Sequence, residues 1–363
     1  MREKGRRSRP FSYIRTRGAG DLSVIREFPP FDAIHAVVLP VPGFGNLLTS
    51  NIYVLGTGPV TLIDTGPKFP GAFENIEKQL LEIGFGFQDV ERIILTHGHI
   101  DHFGLTGKII EAAGRSIPCH LHRDDIWRTS REYIRHVFWS DEVLEFTRMA
   151  GMPPDAVERM KRRSAFFKNF CDPLKGVIPM DGGDTFSGPG FELRVVHTPG
   201  HSPGSCCLYE PKARVLFSGD HIIKHITPNP IMEIHRSLLS DPGYQSLISY
   251  EASLKKVEGL DIRFAFSGHG EYIDDVPGLV SRYRGHHESR KSQILHRILD
   301  TDRPISHLVQ ELFPDIPESE IFLAVSEVYA HLEVLIDEGR ARMSESGPPA
   351  LFRASGVRPA DTA

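Results

Sequence analysis

No run of apolar residues in this 363-residue chain approaches the roughly 20 needed to cross a bilayer, so the sequence predicts no membrane helix. Cysteine is scarce. The four present, Cys119, Cys171, Cys206 and Cys207, form no CxxC pair and are too few for a disulfide scaffold, which predicts reduced thiols and a cytoplasmic protein. Charge of one sign is also lacking: 42 basic against 47 acidic residues leave a net charge of -5, with no global attraction to nucleic acid or to an anionic membrane. Arg2, Lys4, Arg6, Arg7, Arg9, Arg15 and Arg17 stand against Glu3 alone near the N-terminus, but no apolar stretch follows. Residues 1–20 therefore read as a basic flexible tail and not as a secretory signal. At 40% hydrophobic and 25% charged, the rest has the composition of a globular protein, long enough for a large catalytic domain and a small appendage.

What the chain does have is histidine, 18 of them, and three stand together in Thr96-His97-Gly98-His99-Ile100-Asp101-His102. Arg92-Ile93-Ile94-Leu95 before this stretch is strand-like, and the apolar spacing from Phe103 to Ala113 suits a helix. Three imidazoles and a carboxylate in a tight strand-to-helix loop cannot all point apart. At neutral pH they offer nitrogen and oxygen donors that zinc, iron or manganese accept at little deprotonation cost. A chance match to this pattern has odds on the order of 1 in 300, which favours a metal loop over an ordinary polar one.

Along the chain, Ala33–Val41 is strand-like, and Asn51–Gly56 with Val60–Asp64 predicts a hairpin ending in Asp64-Thr65-Gly66. Asp64 suits a turn cap and a group orienting a ligand histidine equally well. Ala72–Ile83 is helical, with Gly84 as its stop. His120 and His122 share a face of the strand Ile117–His122, and without a carboxylate and a Gly-rich loop they read as structural. Residues 124–172 turn helical and aromatic, with Phe138, Trp139, Phe146, Phe166, Phe167 and Phe170, and predict a helical insertion over the core. Strand patterns then return. Phe191–His197 runs into Thr198-Pro199-Gly200-His201, Arg214–Ser218 into Gly219-Asp220, and Ile262–Phe266 into Ser267-Gly268-His269-Gly270. Including the first loop, four strands each deliver His or Asp just past their ends, beside a glycine that permits close approach. Lys224 and His225 lie near Asp220 and could touch substrate, although a surface loop accounts for them as well.

Leu62–Gly66, Thr96–His102, Thr198–Gly204, Phe217–Asp220 and Ser267–Gly270 together resemble the motifs of the metallo-β-lactamase superfamily, in its order and over most of residues 33–275. That resemblance implies an α/β fold, an αββα sandwich of two mixed sheets with helices outside. It puts His97, His99 and His201 on one divalent metal, Asp101, His102 and His269 on a second, and Asp220 between them. Zinc is the first choice of metal, with iron or manganese as alternatives. Asp101 and Asp220 would be the catalytic carboxylates, acting as ligands, and a metal-bridging hydroxide would attack the substrate. Aspartate in place of cysteine at 220 looks more like the hydroxyacylglutathione hydrolase and nuclease branches than a typical β-lactamase. The expected domains are a catalytic domain over 21–280 and a C-terminal unit over 285–354 of helix, helix, helix and hairpin, resembling the winged-helix module of one branch. Its third helix carries Glu318, Glu320, Glu327, Glu333, Asp337 and Glu338 and no Lys or Arg before Gly339, so a packing or homodimer contact is expected there in preference to nucleic acid. The predicted activity is hydrolysis of a small ester, thioester or lactone. The alternatives are a metal-dependent endoribonuclease on single-stranded RNA and an iron-dependent persulfide dioxygenase.

Overall fold

The structure, a computed structural model, describes residues 26–28, 31–41, 47–136, 140–233, 244–317 and 320–356. The basic tail, Phe138, Trp139 and Glu318 lie outside these residues. Strands β1 (Arg26–Phe28), β2 (Phe31–Pro40), β3 (Thr49–Leu55) and β4 (Val60–Ile63) form an antiparallel meander. Helix α1 (Ala72–Glu82) crosses over to β5 (Val90–Ile94), which pairs parallel with β4. After β5 come two short helices, α2 (Ile100–Phe103) and α3 (Thr106–Ala112), where one helix was expected. The break has a packing cause: the Leu105 N–H donates to Gly66 O, and a Cβ at Gly104 would stand 2.3 Å from Phe170 O. Strand β6 (Cys119–His122) continues the parallel part.

The 124–172 region is helical, with α4 (Arg123–Ile126), α5 (Arg131–His136), α6 (Asp141–Met149) and α7 (Pro154–Phe167), before β7 (Ile178–Met180) closes the first sheet beside β6. The second sheet is built from β8 (Thr185–Gly188), β9 (Phe191–His197), β10 (Cys206–Glu210), β11 (Val215–Gly219) and, after helix α8 (Ser246–Glu258), β12 (Phe264–Ser267). Its order is β12-β11-β10-β9-β8, with only β11 and β12 parallel.

Side chains alternate across a strand, and here that period sorts the core into layers. On β2, Ala36 and Val38 pack with Tyr53, Ile63, Leu193, Leu208 and Phe217 in the space between the two sheets. Val37 and Leu39 face the other way, onto Ala72, Ile76 and Leu80 of α1. The outer face of the second sheet, Cys207, Tyr209, Leu216 and Ala265, is covered by Leu247, Tyr250 and Leu254 of α8. The result is the expected αββα sandwich.

Helix α9 (Val276–Arg297) begins 14 residues before the expected Arg290, and the limits 280 and 285 both fall inside it. Pro277 and Gly278 obscure its start in the sequence, yet proline is tolerated in a first turn and the Asp275 side chain accepts from Gly278 N. Helix α10 (Ile305–Leu312) takes Pro304 as its N-cap; Ser306, expected to cap, sits inside with its N–H on Ala150 O. Helix α11 (Ile321–Asp337) and the hairpin β13 (Ala341–Glu345) and β14 (Leu351–Ala354) complete the chain. Eleven of the 17 residues of α11 are buried, because it is wedged between two cores. Ala330 and Val334 pack toward α8, whereas Val325, Val328, Leu332 and Leu335 join Val143 and Phe146 of α6. Among the described residues no helix is long and apolar enough to cross a membrane.

Candidate metal centre

Parallel and mixed strands deliver their C-terminal ends to one edge of the sandwich, and the loops after β5, β9, β11 and β12 meet there. They bring together all seven residues expected at the site. In the first group His97 Nε2 lies 3.0 Å from His99 Nδ1, which lies 3.0 Å from His201 Nε2. In the second, His269 Nε2 is 3.3 Å from His102 Nε2 and 3.5 Å from Asp101 Oδ2. Asp220 faces both groups. Its Oδ2 is 3.5 Å from His201 and 3.1 Å from His269, and its Oδ1 is 3.3 Å from His102 Nε2. The close approach depends on glycine at 268, where a Cβ would stand 2.6 Å from both Asp220 Oδ1 and His102 Cε1.

Neighbouring groups decide which ring nitrogens carry protons. His201 Nδ1 donates to Asn229 O at 3.0 Å, His269 Nδ1 to Thr49 O at 2.5 Å, and His102 Nδ1 to Asp64 Oδ2 at 2.8 Å. The Thr96 hydroxyl donates to Asp64 Oδ2, so at 3.1 Å it accepts from His97 Nδ1. In its neutral form each of these four imidazoles therefore turns an unprotonated Nε2 toward the centre. Two such nitrogens, His102 Nε2 and His269 Nε2 at 3.3 Å, cannot hydrogen-bond each other in the neutral form, and Asp220 Oδ1 is buried without a hydrogen-bond partner among the described residues. A donor set of this kind fits cations, which take lone pairs from several directions at once.

Electrostatics agree with that fit. Burial pushes His97, His99 and His201 below the usual imidazole range, so these three are neutral donors. For His102 and His269 burial acts in the same direction, but the surrounding carboxylates, Asp220 and Asp101 at both and Asp64 at His102, together outweigh it and raise both. The Asp220 carboxylate in turn is held well below its ordinary value; burial opposes this, and His269 and His102 prevail. The second group thus demands positive charge, as protons or as a cation.

Ring geometry separates this centre from a second cluster of donor groups, His122, Asp124 and His197. The planes of His97, His99 and His201 cross at 78–79° and those of His102 and His269 at 85°, so their lone pairs converge. His122 and His197 are stacked at 3.9 Å with planes 15° apart, which sends their lone pairs side by side. His120 meets Phe186 edge-to-face at 4.8 Å. Lys224 pairs with Glu271 and Asp274 at the surface.

Asp64, at the end of β4 with φ 62°, accepts from Thr96 N, Thr96 Oγ1 and His102, so it orients the first loop as well as turning the chain. Three props were not anticipated. Asn51 ties β3 to the fourth loop through Ser267 O and Gly270 O. Asn229 receives His201 on its carbonyl while its side chain donates to Leu323 O at the start of α11. Asp125 is fully buried beneath the first loop. All three act through backbone groups remote in sequence, for which no local pattern exists.

A family model described as Metallo-beta-lactamase superfamily matches residues 45–269. The chain is similar to a probable metallo-hydrolase, YqjP, of Bacillus subtilis (strain 168), 27% identical over 83% of this chain and 91% of that one. It is also similar to an atrochrysone carboxyl ACP thioesterase of Aspergillus fumigatus, 25% identical over 77% of this chain and 70% of the relative. Among solved structures, the metallo-beta-lactamase family protein TTHA1429 of Thermus thermophilus superposes with a TM-score of 0.75 at 28% identity, covering 89% of this chain and 98% of that one.

Proposed function

The chain belongs to the metallo-beta-lactamase superfamily, and from that premise we propose that it is a dinuclear metal-dependent hydrolase of a small ester, thioester or lactone with an apolar acyl part. The observation that carries this reading is the convergence of seven nitrogen and oxygen donors from four strand ends, with Asp220 facing both halves. His97 Nε2, His99 Nδ1 and His201 Nε2 would hold one cation, and Asp101, His102 Nε2 and His269 Nε2 the other, with Asp220 shared. Bound there, two borderline cations such as zinc, iron or manganese lower the pKa of water from 15.7 toward about 7 and polarise a substrate carbonyl. The protein's own groups do the positioning. Asp64, Thr49 O, Asn229 O and Thr96 keep the imidazole protons outward, so the donors are set before a ligand arrives.

The relative named as a thioesterase supports an acyl substrate. We read three exposed large hydrophobic side chains as acyl contacts from their chain positions: Leu48 precedes Thr49, which receives His269; Trp127 precedes Arg128, under the first loop; and the Leu323 carbonyl holds Asn229.

Metal analysis and a parallel substrate screen test this reading. Nearly two metals per chain and turnover of thioester, aryl ester or lactone are expected. Cleavage of labelled single-stranded RNA alone, or one iron per chain with persulfide oxidation, would overturn it.

A further inference from the structure

We infer that Asp125 is the positioning residue that clamps the two halves of the first ligand group together, and that it governs how tightly the cation at His97, His99 and His201 is held. The inference rests on the metal reading above and concerns a residue outside the donor set. The Asp125 carboxylate is fully buried. Its Oδ2 accepts from Gly98 N at 2.7 Å and from Ser202 Oγ at 2.6 Å, and its Oδ1 accepts from Gly204 N at 2.8 Å. Gly98 lies between His97 and His99 on the loop that leaves the seven-stranded sheet; Ser202 and Gly204 follow His201 on the loop that leaves the five-stranded sheet. One carboxylate therefore bridges the two layers at the point where their histidines must meet.

Only a carboxylate suits this place. It is acceptor-only, with lone pairs to spare for three donors, and the Arg128 guanidinium, whose Nε is 3.4 Å from Oδ1, compensates its charge. Arg128 is itself fixed by Tyr133 and Glu233. An asparagine amide would turn its NH2 toward Gly98 N in one orientation, and toward Gly204 N and Arg128 in the other. Either way two donors face each other in a buried space. The loops are also pressed together: a Cβ at Gly204 would stand 2.7 Å from Asp125 Cβ, and one at Gly98 would stand 2.9 Å from Asp125 O. Gly204→Ala therefore probes the same clamp from the other side, without touching the carboxylate.

The test is titration of the metal-free full chain with Zn(II) against a competing chelator, alongside Co(II) absorption spectra, for wild type, Asp125→Asn and Gly204→Ala. Both variants should weaken one of the two binding steps by about 10- to 100-fold, the range usual for groups that orient ligands. The other step should stay within about threefold, and the Co(II) bands of the weakened site should shift, a change that a general loss of stability would not produce. Where Asp125→Asn does not fold, Gly204→Ala decides. Two steps unchanged, or both weakened equally, would overturn the clamp. Wild type taking up no metal would instead sink the hydrolase reading, and this inference with it.

Discussion

At the scale of single residues, the cluster separates side chains that converge from side chains that only share their chemistry. Among the described residues, Asp220 is the one carboxylate within 3.5 Å of histidines from both groups. Its replacement by alanine should abolish hydrolysis and cut metal content to about one per chain or less, read by metal analysis on the purified variant. His120→Ala should do neither, because its ring packs edge-to-face on Phe186 and belongs to none of the converging groups. Asp64→Asn is the subtler case. The amide retains one acceptor but cannot serve Thr96 N, Thr96 Oγ1 and His102 Nδ1 together, so metal affinity should fall about 10- to 100-fold with the fold intact. The converging side chains were legible in the sequence because each sits in a short word of His or Asp with glycine just past a strand. Asp125 was not: its partners are backbone N–H groups and a hydroxyl 27 to 79 positions away, and nothing distinguishes it from Asp124 beside it.

At the scale of elements, α11 matters most. The sequence predicts a third helix with a packing or homodimer contact in a winged-helix order, and apolar residues all round it make it the shared wall of two cores. Leu332 is completely buried, and Leu332→Ala should lower unfolding free energy by about 2–5 kcal/mol in urea titration. The first turn of α11 has a different duty. Leu323 is 38% exposed and its carbonyl anchors Asn229, which in turn receives His201. If Leu323 contacts an acyl chain, Leu323→Ala should lower kcat/KM for a hexanoyl ester about 10-fold more than for an acetyl ester, with metal content unchanged. Equal losses on both esters would argue that Leu323 does not touch the acyl chain. The long reach of α9 belongs at this scale too, since its first turns, with Pro277, Gly278 and Gly285, lack a helical signature and are held by packing of Leu279, Val280 and Tyr283 on α8.

At the scale of the whole molecule, a buried histidine pair joins α9 to α11. His331 Nδ1 donates to Glu327 O, so its Nε2 accepts from His287 Nδ1 at 3.2 Å, and His287 Nε2 has no partner among the described residues. Burial pushes His287 down to about 3 and His331 to about 4, from an ordinary 6.5. Both are neutral in the native state and in the unfolded chain above pH 6.5, where they leave stability unchanged. Below that pH the unfolded chain binds protons that the folded one refuses. Stability should therefore fall as pH drops from about 6.5 toward 4, by about 1.4 kcal/mol per pH unit for each residue. Urea denaturation of the chelator-treated protein between about pH 7 and 5 should show this contribution, and a His287→Leu, His331→Leu double variant should lessen the slope without removing it, because the depressed His97, His99, His201 and His221 act in the same sense.

Local words of sequence were enough to determine the strand ends, the seven side chains that converge and the two-layered α/β plan, because residue spacing, glycine and a period of two act over a few residues. Which face of α11 is buried, where α9 begins, and which acid lies beneath the donor loops were decided only by tertiary structure. Those outcomes depend on contacts between segments dozens to hundreds of residues apart, and the physical reason is burial. A carboxylate or an imidazole acquires its role from the donors and the low-dielectric surroundings that folding places around it, and no stretch of chain carries that information alone.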